Sequence, residues 1–179
     1  MTHPWLQRLS STVQSCQNWL HQMEPTRQLE RQYQTLSTAP IDTLWQTLIN
    51  LADMSWHPLI TSTNVPRGLT IKPGLIYNAM PRWLPIPVTT FVERVLPEEL
   101  LSIRLFPVPG LEERVIYRLE STMWGTRVSY SITLRGWLSP LAWSLIKPYA
   151  AQVAEAIAAA AEKTTQTALP PQPSGSEAW

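Results

Sequence analysis

The stretch from 115 to 137, VIYRLESTMWGTRVSYSITLRGW, constrains this chain more than any other. It reads as two strands folded about a Trp-Gly tip: Val115, Tyr117 and Leu119 share one face, with Arg114, Arg118 and Glu120 on the other. Val128, Tyr130, Ile132 and Leu134 repeat the alternation. A sheet wetted on one face has to bury the other against a second layer. After Gly136 the period changes. Ser139 suits a helix cap and Pro140 a first turn, and Leu141, Leu145, Tyr149, Val153, Ile157 and Ala161 then recur every four residues, which predicts a long helix to about Lys163. Pro148 inside it removes one hydrogen bond and bends the rod. The class is therefore α+β, an antiparallel sheet covered by its last helix.

Upstream pieces fit that plan. Arg27 to Ser37 is a polar edge strand, and STAPIDTLWQTLINLAD is a short amphipathic helix with Ser37 or Thr38 as cap and Ile41, Leu44, Trp45 and Leu48 on one face. Extended pieces follow at 59–64, 69–78, 88–96, 100–106, 111–121 and 126–135, bounded by Pro- and Gly-rich turns such as MPRWLPIP, LPEE and PVPG. Pro73 and Gly74 predict a kink or bulge in the second. Trp5, Leu6, Leu9, Val13, Cys16, Trp19, Leu20 and Met23 follow helical spacing, ended by Pro25. The organisation read from the sequence is an N-terminal amphipathic helix at 1–25, one domain at 26–163 and a disordered tail at 164–179.

Composition excludes several functions. With 14 basic against 13 acidic residues and no basic run, the chain lacks the field that draws nucleic acid. Cys16 is the sole cysteine, so no intrachain disulfide forms and a reducing, cytoplasmic setting is expected. No stretch approaches the roughly 18 apolar residues of a membrane span. His3, His21 and His57 are far apart in sequence, and no metal, triad, phosphate-loop or dinucleotide pattern occurs, so neither catalytic residue nor cofactor is assigned. Glu93 and Arg94 are neighbours on one strand, so alternation turns one of them inward, where a charge would serve a cyclase-type reaction or a ligand's polar head; the commoner role is a salt bridge at the sheet edge.

The order of one strand, a short helix pair, six antiparallel strands and a long C-terminal helix resembles the START-like superfamily, which includes the polyketide cyclase-dehydrase and lipid-transport (SRPBCC, helix-grip) proteins. Local wording agrees. APIDTLWQTLINLADMSWHPLI is similar to that superfamily's first helix and following turn, TTFVERVLPEELLSIRL to its strand, Pro turn, strand unit, and YRLESTMWGTRVSYSITLRG to its final hairpin. The resemblance covers about 27 to 163 and implies a curved seven-stranded sheet gripping the long helix around an apolar cavity.

A sheet curved around a helix leaves volume that side chains or a ligand must fill. The alanines of the helix's second half, among them Ala150, Ala154, Ala158 and Ala161, allow either a cavity or a close backbone approach. If the topology holds, the loops MPRWLPIP, FPVPG and GWLSP meet at one end, where Trp83, Leu84, Ile86, Val108, Trp137 and Leu138 form either a portal or a closed lid. The expected ligand-binding set is Tyr77, Trp83, Leu84, Ile86, Leu105, Tyr117, Tyr130, Trp137, Leu145, Tyr149 and Val153. The expected function is binding or transport of a lipophilic small molecule: a lipid, isoprenoid quinone, pigment or polyketide. The alternatives are an aromatase/cyclase-like enzyme in the same cavity, and an assembly protein docking through the N-terminal helix. Peripheral membrane contact stays open.

Overall fold

A computed structural model describes residues 28–168. The elements are β1 (Gln28–Ser37), α1 (Ile41–Ile49), β2 (Ile60–Thr63), β3 (Ile76–Pro81), β4 (Val88–Leu96), β5 (Leu100–Val108), β6 (Leu111–Thr122), β7 (Gly125–Arg135), α2 (Ser139–Ala150) and α3 (Val153–Ala168). The seven strands form one curled antiparallel sheet in the order β1-β7-β6-β5-β4-β3-β2. The last strand thus closes beside the first, and the long bent C-terminal helix lies in the curl, as the sequence predicts. The expected N-terminal helix lies outside the described residues.

Alternation builds the core. Leu111, Val115, Tyr117 and Leu119 of β6 and Val128, Tyr130, Ile132 and Leu134 of β7 turn to the concave side and are buried with Leu44, Trp45 and Leu48 of α1 and Val153, Ala154, Ile157 and Ala161 of α3. α3 packs against α1, β1 and β7. Its alanines therefore serve close approach. Glu162 ties this contact down, accepting hydrogen bonds from the Thr38 N–H at 2.8 Å and the Ser37 hydroxyl at 2.9 Å.

Some local readings change. Residues 69–75 are not strand: β3 starts only at Ile76, because Pro73 has no N–H and Gly74 takes φ 86°. Neither Ser37 nor Thr38 caps α1, whose first turn starts from Pro40 without a side-chain cap; Ser37 is engaged by Glu162. Ser139 is the first helical residue of α2, its hydroxyl donating to the Gly136 carbonyl at 2.8 Å. The predicted single rod is two helices, interrupted at Ala151 and Gln152, just after Pro148. It also runs past Lys163 to Ala168, where Thr164, Thr165 and Thr167 bond back to carbonyls four residues earlier. At the β7–α2 junction Gly136 holds φ 114° against the Gly110 carbonyl, leaving no room for a side chain.

Candidate ligand-binding cavity

The cavity lies between the concave face of β3–β7 and the segment running from α1 to β2. Leu48, Leu51, Met54, Trp56, His57 and Leu59 cover it from one side; Tyr77, Ala79, Thr90, Leu101, Ile103, Leu105, Glu113, Val115, Tyr117 and Tyr130 form its floor, and Pro81, Trp83 and Pro107 its end wall. The centres of water molecules have about 40 Å³ to move in. That is room for roughly three waters. No residue of α2 or α3 is among the lining, so the void sits on the β3–β6 side of the sheet, away from the helix it grips.

The polar groups of this lining are few and tightly placed. His57, buried in the connection after α1, accepts the Leu59 N–H on Nδ1 at 3.1 Å, and its Nε2 lies 2.9 Å from the Tyr117 hydroxyl. Burial first, and the Arg82 charge second, hold its pKa down to about 3. A neutral ring with Nδ1 occupied as acceptor carries its proton on Nε2. His57 therefore donates to Tyr117, and the phenol proton of Tyr117 is left to point elsewhere. The Tyr117 and Tyr130 rings are tilted against each other with centroids 5.2 Å apart, and Tyr33 stacks behind Tyr130 at 6.4 Å. Burial pushes the phenols of Tyr77, Tyr117 and Tyr130 above the ordinary tyrosine range.

Glu113 is the anomaly. It is 7% exposed, lines the cavity, and makes no hydrogen bond or ion pair among the described residues; burial pushes its carboxyl up to about 7. The Trp56 indole N–H, on the same lining, is also buried without a partner among the described residues.

Five of the predicted ligand-facing residues come together here: Tyr77, Trp83, Leu105, Tyr117 and Tyr130. Six do not. Val153 is fully buried in the helix–sheet contact, and half-buried Leu84 packs on the core. Ile86 projects between Pro85 and Pro87, and Trp137 lies over Gly110 in an open groove with Phe106 and Pro109. Leu145 and Tyr149 face outward at 48% and 41% exposure, because α2 buries Ala142, Ile146 and Ala150 instead. The four-residue count that links Leu141 to Ala161 runs through the break at 151–152, which resets the phase. The three loops do meet at one end, as the antiparallel order requires; there Trp83, Leu84, Val108 and Leu138 pack inward while Ile86 and Trp137 stay exposed.

Neither Glu93 nor Arg94 reaches the interior; Glu93 instead makes a salt bridge, the other expectation, with Arg104 and Arg114, though not at the sheet edge. A register shift between Val92 and Arg94 breaks the alternation, and Glu93 sits mid-sheet on the convex face, accepting from Ser102, Arg104 and Arg114. Burial alone would raise its carboxyl, but those hydrogen bonds hold it below the usual range. The inward carboxylate is Glu113. Its signal was present in the sequence, because 113 continues the period-two row of Leu111, Val115, Tyr117 and Leu119. For His57, in an irregular turn, no pattern existed.

No family profile matches the sequence, and no curated protein does. Solved structures do match. Ara h 8.0201 aligns with TM-score 0.60 at 14% identity, over 76% of this chain and 99% of its own. Zhui aromatase/cyclase from Streptomyces sp. R1128 aligns at 0.59 and 13%, over 77% and 96%. Thalictrum flavum norcoclaurine synthase aligns at 0.57 and 16%, over 77% and 96%. The chain has the helix-grip fold. Among the described residues no helix is long and apolar enough to cross a membrane.

Proposed function

We propose that the protein binds a compact lipophilic molecule in the cavity beneath α1. The observation that carries this reading is Glu113. An unpartnered buried carboxyl costs stability that an apolar residue of similar size would not, and positions that break the local rule in this way are where function is served. The rest of the lining is apolar and aromatic, suited to a hydrocarbon-rich guest. The small volume favours a ring-sized compound, such as a polyketide or quinone ring, over a two-chain lipid. Half-buried Trp56 and Trp83, with the adaptable Met54, are the side chains that would swing to enlarge the space. A norcoclaurine synthase point mutant of this fold is solved in complex with a transition-state analogue, which supports a small organic guest for the fold.

The test is an NMR titration with ethylbenzene. Saturable shifts at the Trp56 indole and at the Val115 and Tyr117 amides are expected, and Ala79→Phe, which fills the floor, should abolish them while the remaining spectrum persists. Absence of any saturable shift overturns the reading. An aromatase/cyclase-like enzyme in the same cavity is the second reading, because a carboxyl titrating near neutrality suits proton exchange. Turnover of a supplied polyketide that disappears in Glu113→Gln would establish it.

A further inference from the structure

This inference rests on the cavity being a binding site and names what the site reads. We propose that the guest is an uncharged molecule carrying a carbonyl oxygen, and that this oxygen accepts a hydrogen bond from the Tyr117 hydroxyl beside the Glu113 carboxyl. The chain of reasons starts at the backbone. The Leu59 N–H fixes the His57 tautomer, His57 then donates to the Tyr117 oxygen, and the phenol proton has no acceptor among the described residues. Glu113 lies four residues away on the same face of β6, with only Val115 between them, and its charge is felt by both Tyr117 and Tyr130. The titratable groups that share the cavity lining with Glu113 are His57 from the α1–β2 connection, Tyr77 from β3, Tyr117 from its own strand and Tyr130 from β7, backed by Tyr33 of β1. Burial keeps His57 neutral and the three lining phenols protonated, so below neutrality every polar group here is uncharged. Such a lining offers donors in excess, and the complement of a donor is an acceptor oxygen.

The experiment compares acetophenone with its near-isostere ethylbenzene. The ketone should bind about tenfold tighter at pH 6, its C=O stretch should fall to lower wavenumber when bound, and the preference should shrink above pH 7 as Glu113 ionises. In Tyr117→Phe the ratio of acetophenone to ethylbenzene affinity should fall to about one, and the C=O shift should vanish. Should that variant fail to fold, the C=O stretch in the wild type decides alone. Equal binding of both probes with an unshifted stretch overturns this inference and leaves the binding site standing. Failure of both probes to bind overturns the proposed function itself.

Discussion

Glu113 and His57 pull the pH dependence of stability in opposite directions. Glu113 is raised from 4.5 to about 7, so the native state holds its proton more tightly than the unfolded chain, and stability is lost as pH rises between those values, by on the order of 3 kcal/mol. His57 is lowered from 6.5 to about 3, so its contribution is full above 6.5 and is lost as pH falls. Between pH 4.5 and 6.5 the two largely cancel. Denaturant unfolding of the wild type should therefore be nearly flat across that window. Glu113→Gln should instead lose stability as pH falls from 6.5 to 4.5 and be more stable than wild type at pH 8. Identical profiles for the two proteins would remove Glu113 as a buried, unpaired carboxyl. The residue could be placed inward from its period-two neighbours. Its lack of a partner among the described residues could not, because that depends on which side chains β3, β7 and the α1–β2 turn bring opposite.

At the level of elements, the strands and α1 were largely readable, since alternation and Pro/Gly punctuation are local signals. The faces of the C-terminal helices were not. Alanine is equally at home in a cavity wall and in a tight contact, and the break at 151–152 separates two phases that sequence spacing joins into one. The contact makes a prediction. Ala154→Leu inserts bulk where α3 meets the α1 and β1 side of the fold and should cost about 1–3 kcal/mol in chemical unfolding; an unchanged midpoint would mean that the helix borders empty space after all. Gly136→Ala combines positive φ with collision against the Gly110 carbonyl, and should cost about 2 kcal/mol or more, read as a fall in Tm. A Tm within error of wild type would contradict the tight junction between α2 and the β5–β6 turn.

For the whole molecule, the helix-grip arrangement was visible in the order of elements, but the place of its void was not. A curled sheet closed tightly on α3 at β1 and β7 leaves its spare volume at the opposite side, beneath α1, where the connection to β2 happens to lay His57 and Trp56 over β6. The helix residues chosen from the sequence thus fell outside the cavity, while the four strand residues, Tyr77, Leu105, Tyr117 and Tyr130, fell inside. Native mass spectrometry of protein purified from its own host tests the central claim most directly. One small, solvent-extractable compound bearing a carbonyl group, held noncovalently by each chain and absent from Ala79→Phe, is the result expected. Bare chain from the host, together with no uptake of any ring-sized lipophile supplied afterwards, would contradict it.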